Sequence, residues 1–171
     1  MIDLNKLAAE IHEAAVAKGF WDVENAEEKH LAKMISELGE VVQADRAGVM
    51  YEIEHEGAKP EGVVAELADF VMMLLDLNEV RGYKMPTSIS VDQWMQSLPD
   101  SYIQDAAAYD VVIVIAAKLA EDRFELTIET AAMLLCFVYR WMKLNGFNLW
   151  EVIRQKMEYN ESRPALHGRK Y

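Results

Sequence analysis

The stretch VVAELADFVMMLLDL, residues 63–77, decides the fold of this chain. It is apolar nearly all round, which is typical of a buried helix, yet it carries Glu66 and Asp69 three residues apart. Burying an ionised carboxylate costs on the order of several kcal/mol, so both side chains are expected to be protonated, paired with bases or bound to metal. A buried helix needs other helices around it, and we therefore predict an all-α helical bundle.

The rest of the chain has the same helical periodicity, and no alternating strand pattern persists. Asp3 is expected to cap the first helix, and glycines end several of the others. A polar, Pro-bounded segment from Pro86 to Pro99 is predicted to lie in a linker over about 83–100. The predicted helices span about 3–18, 24–47, 62–81, 101–121, 125–145 and 149–161.

Composition limits the possible functions. With 171 residues, 52% of them hydrophobic and 27% charged, the chain is predicted to form one globular domain over 1–171. A net charge of -12 argues against general nucleic-acid binding. The single cysteine, Cys136, lies in an apolar run and excludes an intrachain disulfide. No signal peptide or membrane span is recognisable, so we expect a cytoplasmic protein.

A second acidic pair, Glu37 and Glu40, lies on the second predicted helix, with Lys33 one turn earlier on the same side. Alone, this pair could be an ordinary solvated face. If the second and third helices pack antiparallel, however, the two pairs face each other. Four carboxylates carry a charge of about -4, which would match two divalent ions, and oxygen ligands favour Mg²⁺, with Mn²⁺ as a substitute. Two such ions can promote phosphoryl displacement.

The tail, residues 156–171, is basic in an otherwise acidic chain. Its phosphate-compatible donors suggest a flexible lid over an acidic metal site, while an ordinary basic tail that aids solubility is the alternative. Pro164 and Gly168 would bend its backbone. The donors are Lys156, Asn160, Arg163, His167, Arg169 and Lys170.

Four blocks of the sequence carry a resemblance to a known family: IHEAAVAKGFWD (11–22), KMISELGEVVQADRAG (33–48), the stretch quoted above (63–77), and KMEYNESRPALHG (156–168). They cover the N-terminal half and the last two dozen residues, and the ExxE and ExxD spacings alone would be weak signals. In order and spacing the four blocks resemble the MazG-like nucleotide pyrophosphohydrolases, within the all-α NTP pyrophosphatase group that includes the dimeric dUTP diphosphatases.

The resemblance implies a four-helix core and Mg²⁺-dependent hydrolysis of a nucleoside triphosphate to the monophosphate and pyrophosphate, which suggests a role in nucleotide-pool cleaning. It implies that Glu37, Glu40, Glu66 and Asp69 are metal ligands, the first two also catalytic. It would place Lys33, Lys156, Asn160 and Arg163 on the triphosphate. By position, His12, Phe20 and Trp21 are candidates for the base pocket, although core packing explains the aromatic residues equally well.

The chain departs from the family pattern in two places. Ser36 stands where many members have a further acid, which leaves Glu37 or a metal-bound hydroxide as the base. The region 87–145 is longer than in the shorter members, and Asp110 there could be a site residue or a helix cap. Because the fourth and fifth helices are so apolar, we expect a homodimer or higher homo-oligomer.

Two alternatives remain open. A carboxylate-bridged di-iron bundle normally needs an ExxH on each of two helices, and only Glu27 to His30 fits. A non-catalytic helical scaffold or binding protein, in which the acids are structural, would tolerate Glu40→Gln or Asp69→Asn without loss of function.

Overall fold

A computed structural model describes residues 2–55, 57–85, 103 and 105–168. These residues form six α-helices and a short 3₁₀ helix, with one isolated bridge between Glu52 and Glu61 and no strand, so the all-α prediction is confirmed. The helices are α1 (Leu4–Ala17), α2 (Ala26–Ala47), α3 (Val63–Val80), α4 (Ala108–Glu121), α5 (Ile128–Leu144) and α6 (Leu149–Glu161), followed by the 3₁₀ helix Ala165–Gly168.

Side-chain caps determine where several helices begin. Asp3 accepts from the backbone N–H groups of the first turn of α1, as predicted. The fourth helix was predicted to begin at about 101, which is wrong for residues 105–107, because they are not helical and the helix begins at Ala108. The Asp110 carboxylate fixes this start, since it accepts from the Ala107 N–H at 3.0 Å. The fifth helix begins at Ile128 rather than 125, because the Thr127 hydroxyl caps it.

Helix α3 is the centre of the bundle and packs against α1, α2, α5 and α6. Its first turns are inaccessible to water on every side, as the apolar sequence predicted; Val64, Leu67 and Val71 are fully buried. Helix α4 packs on α2 and α5 instead. None of the described helices is both long and apolar enough to span a lipid bilayer.

Helices α2 and α3 run antiparallel, as the sequence argument supposed: His30, early in α2, contacts Met73 late in α3, while the end of α2 leads into the loop before Val63. The backbone carbonyls of Val49 and Met50 accept from the first N–H groups of α3, each at 3.0 Å. Gly62 allows this approach, because its φ is +102° and an added Cβ would lie 2.8 Å from the Met50 oxygen.

Three expectations from the sequence have different outcomes. Cys136 is buried, as predicted. The segment from Pro86 to Pro99 lies outside the described residues. The homo-oligomer stays a prediction; Tyr109 and Ile113 of α4 are exposed in the single chain.

Candidate functional site

A cavity of about 390 Å³ lies between α2, α3, the end of α1 and the C-terminal segment. The two acidic pairs meet at one end of it: Glu37 and Glu40 come from α2, and Glu66 and Asp69 come from α3. Single oxygen atoms of Glu37, Glu40 and Glu66 all lie within 4.8 Å of one another, and Asp69 stands beside this group. The predicted convergence of the two acidic helices is thus present.

Burial makes this acidic group unusual. Glu37 and Glu66 are only 6% and 5% exposed. Burial, together with the nearby Asp69 carboxylate, raises the pKa of Glu37 to about 8, although Lys33 acts in the opposite direction. Burial also raises the pKa of Glu66. The cluster therefore holds at least one proton near neutral pH when no cation is bound, and a divalent cation would compete with that proton.

Two lysines contact the carboxylates from opposite sides. Lys156, on α6, is 1% exposed, and its Nζ lies 2.6 Å from Asp69 Oδ2 and 3.8 Å from Glu66 Oε2. Burial by itself lowers the pKa of Lys156, but Asp69 and Glu66 outweigh it and the pKa is raised, so the side chain stays charged. Lys59, in the loop before α3, places its Nζ 3.7 Å from Glu66 Oε1.

Positively charged side chains also line the cavity, and we call this group the positively charged wall. Lys33, Lys18, Arg163 and His167 line it together with Asn160. Arg163 lies after the end of α6, and one of its guanidinium nitrogens is 3.4 Å from the Asn160 amide oxygen. Burial and the positive charges of Arg163 and Lys33 lower the pKa of His167 to about 4, so this imidazole is neutral at ordinary pH. The wall offers donors suited to phosphate oxygens.

The described part of the basic tail is docked against the end of α1. The Leu166 N–H donates to the Lys18 carbonyl at 2.8 Å, and Lys18 Nζ donates in return to the Glu161 carbonyl at 2.9 Å and to that of Arg163. The His167 ring meets Phe20 edge-on at 5.0 Å between centroids. The predicted lid thus contacts the cavity wall through these residues, while Arg169 and Lys170 lie outside the described part of the chain.

The other end of the cavity is built around a buried acid, Asp76 of α3, which is 3% exposed. Its Oδ1 lies 2.7 Å from His12 Nδ1, and the Trp21 indole N–H lies 3.1 Å from both carboxylate oxygens. Trp21 also stacks on His30, with ring centroids 4.9 Å apart. Burial raises the pKa of Asp76, against the opposing influence of His30 and His12.

His30 has a defined protonation pattern. Its Nε2 lies 2.8 Å from the Met73 carbonyl oxygen, which can only accept, so Nε2 carries a proton. Its other nitrogen, Nδ1, faces Asp76 Oδ2 at 3.6 Å. Burial lowers the pKa of His30 despite the Asp76 charge. His30 and Asp76 therefore form a polar patch among the apolar side chains at this end of the cavity, which include Val23, Met72 and Met73.

The structure divides the predicted site residues into two groups. One group lines the cavity directly: Lys33, Glu37, Glu40, Glu66, Asp69, Asn160 and Arg163, with Phe20 and His167. The other group lies behind its wall: Lys156 supports Asp69, while His12 and Trp21 support Asp76. Direct contact of these three with a substrate stays a prediction.

Among the polar residues that line the cavity, Lys18, Lys59 and Asp76 were not predicted from the sequence, nor was His30 as a partner of Asp76. Asp76 could have been found, because it lies seven residues after Asp69 and so on the same face of an otherwise apolar helix. His30 has the same relation to Glu37. Lys18 and Lys59 sit at helix and loop positions without a periodic signal.

Three open assignments are clarified. Ser36 is exposed and donates to the Lys33 carbonyl at 2.7 Å, so it takes no part in the carboxylate group. Asp110 is a helix cap. The Glu27 carboxylate binds Arg81, whereas His30 turns toward Asp76, so the one ExxH motif does not gather its two side chains at a common ligand position.

The donor set fits a hard divalent cation, since three carboxylates with oxygens inside 4.8 Å are the ligands that Mg²⁺ and Mn²⁺ prefer. The cavity thus combines an acidic end, a positively charged wall and an apolar end with one polar patch. Comparisons with protein-family models, curated proteins and solved structures found no match to this chain.

Proposed function

We propose that this chain is a Mg²⁺-dependent nucleoside triphosphate pyrophosphohydrolase with a MazG-like four-helix core. The observation that carries the proposal is the convergence of Glu37, Glu40 and Glu66 in a cavity that positively charged side chains also line. A phosphate chain needs both features, because its oxygens bind cations and donors at the same time. The products would be the nucleoside monophosphate and pyrophosphate.

The shape of the cavity favours a nucleotide over a small phosphate. Asp69 and Asp76 both line it and are seven residues apart on α3, which corresponds to about 10 Å along the helix axis. This separation is comparable to the length of a nucleoside. The triphosphate would lie at the acidic end, and the base would lie between Phe20, Met72 and Met73, with its polar edge toward Asp76 and His30.

The carboxylates would hold the metal through Glu37, Glu40 and Glu66, with Asp69 beside them. When bound, a divalent ion supplies charge neutralisation on the phosphate oxygens and a more acidic water. Lys33 and Arg163, both in the positively charged wall, would bind phosphate oxygens. Lys18 positions that wall, because it holds the carbonyls of Glu161 and Arg163.

In the proposed reaction, a water oxygen forms a bond to the α-phosphorus while the bond from that phosphorus to the α,β-bridging oxygen breaks. Pyrophosphate leaves, and the proton from water passes to a carboxylate. Glu37 would receive it, because its carboxylate converges with those of Glu40 and Glu66 where the metal and its water would lie. Ser36, turned toward its own backbone, cannot fill this role.

The test is hydrolysis of canonical and modified nucleoside triphosphates with Mg²⁺ in ¹⁸O-labelled water. We expect pyrophosphate and a monophosphate that carries the label, because water attacks the α-phosphorus. Glu40→Gln and Glu66→Gln should abolish turnover, whereas Glu13→Gln, an exposed carboxylate on α1, should not. Release of orthophosphate without pyrophosphate would refute the reaction, and absence of hydrolysis in the wild type would favour a binding or scaffold protein.

A further inference from the structure

Lys156 occupies an unusual place for a lysine. It follows Leu149, Val152 and Ile153 along the buried face of α6, so its side chain extends through the core of the bundle. The ammonium group ends beside two carboxylates of α3, those of Asp69 and Glu66. Because Lys156 is only 1% exposed, water does not solvate this charge and the carboxylates must stabilise it.

The four carboxylates divide into two sets around this lysine. Oxygens of Glu37, Glu40 and Glu66 converge within 4.8 Å, as one cation requires. Asp69 lies outside that set, and its Oδ2 is 2.6 Å from Lys156 Nζ. We infer that Lys156 takes the place of a second cation, so that the substrate-free protein binds one divalent ion rather than two; this inference rests on the proposed metal site.

Charge balance supports the same conclusion. Lys59 brings a second ammonium group to within 3.7 Å of Glu66 Oε1, and Lys156 approaches the other oxygen of Glu66 at 3.8 Å. Lys59 also pairs with Glu61 at 3.7 Å, and the negative charge of Glu61 is offset by Lys33 near the carboxylates. One divalent ion and the two ammonium groups of Lys59 and Lys156 then match the four carboxylates in formal charge. Two divalent ions would leave an excess of two positive charges in a largely buried site, which is unfavourable in a medium of low dielectric constant. The two ions expected from the carboxylates alone are thus too many once the lysines are included.

Asp69 then has a different role from the other three acids. It anchors Lys156, and the ammonium group in turn fixes the position of Glu66 beside Glu37 and Glu40. Lys156 is therefore a positioning residue, one that holds a ligand of the metal without contacting the substrate. Phosphate oxygens that enter with a nucleotide can recruit a further ion of their own, so the inference concerns the protein without substrate.

The experiment counts Mn²⁺ ions bound per chain, from the electron paramagnetic resonance signal of free Mn²⁺ during titration of the substrate-free protein. We expect one ion for the wild type and two for Lys156→Gln, in which Asp69 becomes available. Lys6→Gln, an exposed lysine paired with Glu10, is the matched control and should bind one ion. Circular dichroism checks that each variant is folded.

Two bound ions in the wild type, or one in a folded Lys156→Gln, would overturn the inference and leave the metal site intact. No bound ion in the wild type would instead refute the proposed metal site. If Lys156→Gln does not fold, the double variant Asp69→Asn with Lys156→Gln removes both members of the pair together. It should still bind one ion, more weakly than the wild type because Lys156 no longer holds Glu66 in place. Two bound ions would show that the second site does not depend on Asp69, and no bound ion would identify Asp69 as a required metal ligand; either result would overturn the inference.

Discussion

Replacement of Glu37 by glutamine should remove a pH-dependent loss of stability. In the metal-free protein the pKa of Glu37 is raised from 4.5 to about 8, mainly by burial. A carboxyl group whose folded pKa is raised stabilises the fold below its unfolded pKa, and this contribution disappears as the pH rises through the folded pKa. At about 1.4 kcal/mol per pH unit, the wild type should lose about 5 kcal/mol between pH 4.5 and 8 from this group.

Glutamine mimics the protonated acid at every pH, so Glu37→Gln should lack this loss. Urea denaturation in the presence of a chelator, from pH 5 to 9, gives the difference in free energy of unfolding between variant and wild type. That difference should grow with pH in favour of the variant, whereas Glu13→Gln should follow the wild type. Asp76, whose pKa is also raised, contributes equally to both proteins and cancels. Glu66 repels Glu37, so loss of that repulsion in the variant adds to the difference in the same direction. A difference that stays constant across this range would refute the reasoning.

Three further predictions concern the loop, the positively charged wall and the polar patch. Gly62→Ala should lower the free energy of unfolding by about 1–3 kcal/mol, because φ is +102° and the added Cβ would clash with the Met50 carbonyl. Gly39→Ala, on α2 with no neighbour near the added Cβ, should be neutral or stabilising in the same urea denaturation assay. Lys33→Met should raise KM for a nucleoside triphosphate about 10- to 100-fold through the loss of a charge-assisted hydrogen bond, with Lys6→Met unchanged in steady-state kinetics. Asp76→Asn should raise KM for the nucleotide yet leave inhibition by inorganic triphosphate unchanged; equal weakening of both would place Asp76 outside the base-binding end.

Helix α3 shows how much of the fold could be predicted. Its apolar residues recur on every face, which indicated a central position, and the structure buries nearly all of them. The antiparallel partner followed from a second acidic pair at matching spacing and a connecting loop. The starts of the helices were harder to predict. The cap of α4 is Asp110, which lies in an apolar run, and sequence alone could not distinguish this cap from a site residue.

The candidate site was predictable only where it follows helical periodicity. Glu37, Glu40, Glu66 and Asp69 satisfy that condition and meet in the cavity. Lys156 also lies on a periodic stripe, in line with Leu149, Val152 and Ile153, so its burial could have been predicted. It was predicted instead to be a phosphate donor on a basic tail, whereas the structure buries its ammonium group against Asp69, a contact that depends on how α6 crosses α3.

The two ends of the cavity share one geometric cause. On α3, Asp69 and Asp76 are seven residues apart, and on α2, His30 and Glu37 have the same separation. Seven residues are nearly two full turns, with a drift of only about 20°, so each helix presents both of its polar residues on the face toward the other. Because the helices are antiparallel, His30 meets Asp76, and Glu37 approaches Asp69. A single helix pair thereby fixes both the acidic end and the polar patch, and the spacing between phosphate and base would be set by the rigid rise of α3 rather than by a loop.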